Sequence, residues 1–406
     1  MIQHLSIPAQ SNRIQTSPRR ALRVLALRAV DGAGGGADKI VLRNADFVSP
    51  ASIEMAACFI HHPSDTDFDL VDRANQLGIR TYEETHRGPF DLRIFRGVQK
   101  VITDFQPDIV HSHDYKASFI ASRLARRNPI LCLATSHGWT GEKWREKNLF
   151  YPADRRLLSN FPGIIAVSNQ IRDTLVTSGT DPRRVRVVLN GVNPHKYQRD
   201  LNARSRVRKE LDYTESDIVL GGVGRVELQK RFDLLIEAFA ELRHQDNRLK
   251  LLIAGEGSLL EPLRAEVRRR KLDKHCRLIG HCEKMTDIYQ ALDVLVQSSD
   301  YEGTPTVVVE AMALGIPIVA TDAGGTSQLI QNQQHGRIVP CQNIPALIAA
   351  TRETLESPTR SREMAMSARQ RVETQLSFEE RTRQLEAIYQ ELFKFGFLNS
   401  DRPLNP

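Results

Sequence analysis

Apolar positions along the chain fall into two alternating patterns. Short runs of consecutive, often β-branched apolar residues predict strands covered on both faces. Longer stretches with an apolar residue every three to four positions predict the helices that cover them. Strands are expected at residues 22–28, 53–60, 79–82, 109–111, 130–135 and 164–167. After a polar, arginine-rich stretch near 193–217 a second series is expected at 218–223, 250–254, 277–279, 294–297, 318–320 and 337–339. This alternation predicts an α/β protein of two doubly wound, Rossmann-like parallel-sheet domains, 21–195 and 196–377, behind a flexible lead-in of residues 1–20. In a last helix, expected at about 378–398, Leu385, Ile388, Tyr389 and Leu392 form an i, i+3, i+4, i+7 stripe that must dock on the body of the molecule. Ligands of such sheets bind at the carboxyl ends of the strands, so two facing domains place function in the cleft between those ends.

Two segments at predicted strand ends carry the polar chemistry. After the strand at 294–297 the chain reads SSDYEGTPTVVVEAMA. Thr304 is expected to cap a helix whose first residue is Pro305, leaving the N–H groups of Thr306 and Val307 to bind an anion with the help of the helix dipole. Glu302 and Glu310 have the spacing E-x7-E around that N-terminus. Two carboxylates so placed can surround one ligand, and as acceptors they suit the hydroxyl groups of a sugar or a ribose. The second segment, GGVGRVELQKR at 221–231, ends the first strand of the second series. Its glycines admit close backbone approach, while Arg225 and Lys230 supply two cations that suit a diphosphate. At an effective dielectric of about 20, each cation at roughly 4 Å contributes about 4 kcal/mol of Coulomb energy, enough to help a diphosphate leave.

Composition narrows the setting. Apolar residues at 41% and charged residues at 26% are ordinary for a globular chain with a sizeable core, which excludes disordered and fibrous classes. No apolar run is long enough to span a bilayer, and the first twenty residues lack the apolar stretch of a secretory signal. Five cysteines without a C-x-x-C are expected where thiols stay reduced, so the cytoplasm is the expected location. Lys and Arg number 56 against 49 Asp and Glu, a net charge of +7. The excess gathers at Arg123, Arg126, Arg127, Lys143, Arg145, Lys147, Arg155 and Arg156, against Glu142, Glu146 and Asp154. By charge alone that face suits nucleic acid, anionic lipid or phosphorylated small molecules, and equally an ordinary solvated surface.

Taken together, these segments resemble the retaining family-4 glycosyltransferases of GT-B fold, also called glycosyl transferases group 1. The resemblance covers nearly the whole chain. It runs through Gly35-Gly36-Ala37-Asp38, His137-Gly138, Val167-Ser168, Asn190-Gly191-Val192, Gly224-Arg225 with Lys230, Gly255-Glu256-Gly257, the Glu302 to Glu310 element and Gly324-Gly325. It implies transfer of a sugar from a nucleoside-diphosphate-sugar to an acceptor hydroxyl with retention, in cell-envelope polysaccharide or glycolipid synthesis. The implied catalytic residues are Arg225, Lys230, Glu302 and His137. The implied donor contacts are Gly36, Arg225, Lys230, Glu302, Gly303, Thr304, Thr306, Val307 and Glu310. Among them Arg225 and Lys230 match the pair on the diphosphate, Glu310 the carboxylate on the ribose, and Glu302 with the backbone of Gly303 and Thr304 the contacts to the sugar. His137 matches a histidine near the reacting sugar. The resemblance further implies an acceptor-side first domain, a last helix that crosses back onto it, and no metal or other cofactor. The acceptor is a sugar, a lipid-linked sugar or a small molecule, with no nucleic-acid partner. For the basic segment, peripheral association with the inner membrane face is the expectation. Three departures stand out: Arg231 where the family commonly has Gly, Ser327-Gln328 for a frequent Pro-Glu, and the glycine-rich Gly32-Ala33-Gly34-Gly35-Gly36.

Other readings compete. Gly32-x-Gly34-x-x-Ala37 fits a dinucleotide fingerprint of an NAD-dependent oxidoreductase, but no acid ends the second strand, which His61-His62 follows. The D-x-D of Asp65 and Asp67 is better explained as helix capping than as a metal site. His275-Cys276 and His281-Cys282 lie as much as about 20 Å apart if a strand separates them, too far for one zinc ion. His111-Ser112-His113-Asp114 reads as an ordinary strand end. A non-catalytic sugar- or nucleotide-binding protein of the same fold is the remaining alternative, since fold alone does not establish turnover.

Overall fold

The computed structural model describes residues 20–395 except 31–35, 67, 89–90, 140–143, 145 and 283. Its two sheets are parallel throughout. The first holds β1 (Leu22–Ala29), β2 (Ile53–His61), β3 (Arg80–Thr85), β4 (Ile109–Ser112), β5 (Leu131–Ser136), β6 (Gly163–Ala166) and β7 (Val185–Val187), in the order β3-β2-β1-β4-β5-β6-β7. The second holds β8 (Ile218–Val223), β9 (Leu249–Ala254), β10 (Cys276–Leu278), β11 (Val294–Gln297), β12 (Ile318–Thr321) and β13 (Arg337–Val339), in the order β10-β9-β8-β11-β12-β13. In each sheet the strand order reverses once, between β1 and β4 and between β8 and β11. Such switch points open a crevice at the strands' carboxyl ends. Because β8 and β11 are neighbours, the segments after Val223 and after Gln297, 74 positions apart in sequence, leave the sheet side by side.

The sheets are covered as the apolar runs require. Leu25, Leu27, Cys58, Val110 and Ala134 face the helices on one side of the first sheet. On its other side Val24, Ile53, Ile109, Leu133 and Ile165 pack against Leu385, Ile388, Tyr389 and Leu392 of the last helix, Phe378–Phe395. The predicted stripe therefore docks on the first sheet, although the helix follows the second in sequence. Each of these side chains contributes about 1.5–3 kcal/mol of burial free energy. The chain passes between the halves twice at one place. Val192 N–H donates to Leu376 O, and Phe378 N–H donates to Val192 O, both at 3.0 Å.

Two expectations are corrected here. The first sheet has a seventh strand, β7, with only one neighbour. The arginine-rich stretch near 193–217 contains the helix Leu201–Glu210, docked by polar contacts. Arg199 donates to the carbonyls of Tyr289 and Leu292 at 3.2 and 3.0 Å, and the buried Arg208 pairs with Asp293 at 3.0 Å. Among the described residues no helix is long and apolar enough to cross a membrane.

Candidate active site

Around the carboxyl ends of β8 and β11 most of the charged side chains are paired. Lys230, at the end of a short 3-10 turn Leu228–Lys230, places Nζ 2.5 Å from Glu302 Oε1. Both side chains are largely buried, 12% and 7% exposed, so Coulomb attraction is screened far less than at the surface. Ser299 Oγ donates to the same carboxylate oxygen at 2.6 Å. Gln229 Nε2 donates to Tyr301 O at 2.7 Å and reaches Glu302 Oε2 at 3.5 Å. Arg225, by contrast, is exposed, and its side chain enters no hydrogen bond or ion pair among the described residues. The two cations read as a pair thus differ: one is held on a carboxylate, the other is open to an incoming anion. Backbone crowding fixes the turn, since a Cβ on Gly255 would stand 1.8 Å from Gly224 O.

Arg231 shows how the chain tolerates losing the usual glycine. It sits in the left-handed region at φ 48°, ψ 42°, between the 3-10 turn and the helix Phe232–Gln245. A non-glycine residue there costs roughly 1 kcal/mol or more. Its guanidinium bridges Asp233 at 2.9 Å and Asp300 at 3.1 Å, tying the helix start to the loop that carries Glu302. The hydrogen bond to Asp233 leads the effects that push its pKa up.

Glu310 lies in the helix Thr306–Ala313 and is engaged by two phenols. Tyr197 OH donates to Oε1 at 2.9 Å and Tyr289 OH to Oε2 at 2.6 Å. Burial first, then the carboxylate's charge, pushes both tyrosine pKa values up, so the phenols remain donors. The helix begins at Thr306 with Pro305 in the cap position, and Thr304 is not its cap. Instead Thr304 Oγ1 donates to Val167 O, at the end of β6 on the other sheet. A Cβ on Gly303 would come within 3.0 Å of His137 O. Asn169 N–H, on the first sheet's side, donates to Gln328 Oε1 at 2.7 Å, so the departure at Gln328 serves a contact between the halves.

The first sheet contributes a row of buried imidazoles. His111 Nδ1 meets Tyr389 OH at 2.8 Å and its Nε2 meets Thr135 Oγ1 at 2.7 Å. The His111 and His113 rings lie 4.2 Å apart, and the His113 and His137 rings 6.0 Å apart. Neither nitrogen of His113 nor Nε2 of His137 finds a partner among the described residues. Burial, reinforced by Arg381, pushes His111 down to about 3, and burial with Arg28 and Arg381 close by pushes His113 and His137 well below the ordinary imidazole range. Arg381, on the last helix, is itself buried, and desolvation lowers it to about 10. Arg28 secures the first loop's far side: its Nε donates to Asp38 and its Nη1 to His113 O, both at 2.7 Å. Gly36 opens the helix Gly36–Phe47, while residues 31–35, with most of the glycine-rich loop, lie outside the described residues, as do Asp67, Glu142, Lys143 and Arg145.

Glu302, Gly303, Thr304, Lys230 and His137 therefore meet where the two halves touch, and Arg225 and the Thr306–Val307 helix start follow on the second sheet's side. Reading the sequence missed Gln229, Ser299, Tyr197 and Tyr289, which hold the two carboxylates, and Arg28 and Arg381. Asp69 takes the cap position of the helix Leu70–Gln76, but its side chain makes no cap hydrogen bond and reaches Arg73 at 3.4 Å. No group of three metal-ligating side chains occurs among the described residues.

Comparison with known proteins bears directly on this arrangement. Residues 203–371 match the family model "Glycosyl transferases group 1", and residues 54–196 match "Glycosyltransferase Family 4". The chain is a family-4 glycosyltransferase. This glycosyltransferase is 28% identical over 329 residues to EpsD of Bacillus subtilis, itself named as a glycosyltransferase, covering 78% of this chain and 83% of that one. It is 26% identical over 273 residues to the Escherichia coli UDP-Gal:alpha-D-GlcNAc-diphosphoundecaprenol alpha-1,3-galactosyltransferase, covering 64% and 69%. Its fold matches Anabaena HepE, solved in complex with UDP-glucose, with a TM-score of 0.79 at 19% identity over 91% of this chain and 100% of that one. Two Rossmann-like sheets with a last helix returned to the first are the GT-B architecture.

Proposed function

We propose that this glycosyltransferase moves a sugar from a nucleoside-diphosphate-sugar to an acceptor hydroxyl with retention at the anomeric carbon, without a metal ion. Residues of the second sheet bind the donor and those of the first bind the acceptor. The observation that carries the reading is the open cation Arg225 beside the buried Lys230–Glu302 pair, at the end of β8 and next to the helix start at Thr306. Arg225, Lys230 and the N–H groups of Thr306 and Val307 hold the diphosphate and stabilise the charge it gains as the sugar's C1–O bond breaks. The acceptor oxygen forms the new bond on the same face, and its proton goes to the departing diphosphate oxygen. No side-chain nucleophile is needed.

Glu302, with the backbone at Gly303 and Thr304, meets the sugar's hydroxyls; Glu310 meets the ribose; Gly36 approaches the donor from the first sheet. His137, neutral because it is buried, stands beside the reacting sugar as a polar contact rather than as a cation. The acceptor is a sugar or lipid-linked sugar of envelope polysaccharide or glycolipid synthesis, reached from the cytoplasmic face of the membrane.

Calorimetric titration with the common nucleoside diphosphates, followed by a donor hydrolysis screen in excess chelator, tests the reading. One nucleoside diphosphate is expected to bind and its sugar donors to be hydrolysed in the chelator. Absence of any binding, or activity abolished by chelator and restored by manganese, overturns it.

A further inference from the structure

The two carboxylates of the site are held in different ways. On Glu302 the Lys230 ammonium and the Ser299 hydroxyl share one oxygen, Oε1. On Glu310 each oxygen has a phenol of its own: Tyr197 OH on Oε1 at 2.9 Å and Tyr289 OH on Oε2 at 2.6 Å. The two phenols come from separate parts of the chain. Tyr197 lies in the connection between the sheets, directly after the 3-10 turn Pro194–Lys196 and five positions beyond the crossing at Val192. Tyr289 lies in the helix Met285–Ala291, which packs against the helix Leu201–Glu210.

Burial shows what the hydroxyls are for. Tyr289 is fully buried and Tyr197 partly so, while Glu310 keeps part of its surface open. If packing alone were required, phenylalanine would serve at both positions without a polar atom to satisfy. A carboxylate offers about four lone-pair sites on its two oxygens. With one O–H donor fixed on each oxygen, turning the carboxylate about its last bond breaks both hydrogen bonds at once. Tyr289 OH also stands 3.5 Å from Val307 O, in the first turn of the helix that carries Glu310, so the same phenol sits against the start and the middle of that helix.

We propose that Tyr197 and Tyr289 are positioning residues that fix the plane of the Glu310 carboxylate, so that its two oxygens meet the adjacent 2′- and 3′-hydroxyls of a ribose together and the donor site selects ribonucleoside over 2′-deoxyribonucleoside diphosphates. This rests on the proposed contact between Glu310 and the ribose. A carboxylate free to turn must be ordered when the ligand binds, which costs conformational entropy at that moment. One held by two hydrogen bonds from folding onward is ordered in advance. Holding it also sharpens rejection. A site built to hydrogen-bond a hydroxyl discriminates against an analogue that lacks it because the acceptor is left unsatisfied, and a carboxylate that cannot turn away to another donor keeps that penalty in full.

The test is calorimetric titration of the full chain with UDP, GDP and ADP and with the 2′-deoxy form of each, on the wild type, Tyr197→Phe, Tyr289→Phe and the double variant, with thermal unfolding alongside. The wild type is expected to bind one of the three at least about tenfold more tightly than its 2′-deoxy form, the scale of a hydrogen bond to a charged group. Each single variant is expected to reduce that ratio to about threefold and the double variant to bring it near one, through weaker binding of the ribonucleotide, with the 2′-deoxy form changed by less than about twofold. Phenylalanine keeps the ring in each place, and Tyr197→Phe, at the partly exposed position, decides alone if Tyr289→Phe does not fold. A ratio that survives removal of the phenol hydroxyls overturns the inference and leaves the ribose contact of Glu310 standing, whatever the change in thermal stability. A wild type that binds none of these ligands, or binds a nucleoside diphosphate and its 2′-deoxy form equally, removes the ribose contact and the inference with it.

Discussion

The rim of the second sheet and the rim of the first solve opposite electrostatic problems within one boundary. At the second, charges are kept and compensated: Lys230 on Glu302, Arg231 on Asp233 and Asp300. At the first, imidazoles are stripped of water and kept neutral, with His111, His113 and His137 in a row beside the buried guanidinium of Arg381. Compensated charge is what a site needs if it must receive a diphosphate without rearranging, since fixed charges cost no reorganisation when new charge develops. Desolvated neutral side chains suit an uncharged partner, such as the hydroxyl of the proposed acceptor. The contrast can be broken or sharpened by experiment.

The largest expected effect is the response to acid. An imidazole whose folded pKa lies below its unfolded value of about 6.5 contributes stability that is fully present above 6.5 and is lost as pH falls through it, because the unfolded chain takes up the proton first. His111, down to about 3, with His113 and His137, well below their ordinary range, act in the same direction. Between pH 7.5 and 5.5 the three together are expected to remove roughly 4 kcal/mol of stability. Both tryptophans of the chain, Trp139 and Trp144, belong to the first half, so urea unfolding followed by their fluorescence at several pH values reads this region. A midpoint that does not move over this range would mean the row is not buried in neutral form.

Next come the two cations. Lys230→Ala and Arg225→Ala are each expected to lower kcat by about 10² to 10³. Only Lys230→Ala leaves the buried Glu302 without its counter-charge, so only that variant is expected to lose on the order of 3 kcal/mol of stability as well. Turnover near wild type in either variant contradicts the proposed diphosphate contacts, and equal melting temperatures contradict the difference between an engaged and an open cation.

The carboxylates divide more finely. Glu310→Ala is expected to weaken binding of the bare nucleoside diphosphate about tenfold, as the loss of a charged hydrogen-bonding group does. Glu302→Ala is expected to act mainly on the intact sugar donor. Calorimetry with both ligands on both variants separates them, and equal losses throughout would merge the two roles. Smallest is the backbone term at Arg231. Arg231→Ala keeps the left-handed strain and loses both ion pairs, whereas Arg231→Gly loses the pairs and the strain together. Glycine is expected to be the more stable of the two by about 1 kcal/mol in thermal unfolding.

Much of the scaffold was legible because both sheets are buried on two faces, which turns strands into unbroken apolar runs. Ile218–Val223, Val294–Gln297 and Arg337–Val339 could be read to the residue. The strand Val185–Val187 could not, since an edge strand of sequence VRV with one buried end offers no such run. The helix Leu201–Glu210 was hidden for a related reason: it buries only Ala203, Val207 and Arg208, and its arginines dock on carbonyls and on the Asp293 carboxylate. At the site, local rules placed Glu302, Glu310 and Lys230 correctly at strand ends and a helix start. They failed where a partner comes from afar. Thr304 has the residue type and spacing of a cap, yet its hydroxyl is taken by Val167 137 positions away. No spacing rule links Glu310 to Tyr197, or His111 to Tyr389.

The double passage at Val192 and Phe378 makes the second sheet, in effect, an insert within the first. Its two ends leave the parent body as neighbours, bonded backbone to backbone, with Gly191 packed so closely on Leu376 and Ser377 that a Cβ would stand 2.7 Å from either carbonyl oxygen. A segment whose ends are that close can be cut out or replaced without asking the remainder to span a gap. Residues 193–376 are one contiguous stretch that can be grafted or exchanged as a cassette, whereas the body built on the first sheet is assembled from segments before and after that stretch and cannot be obtained by truncation from one end.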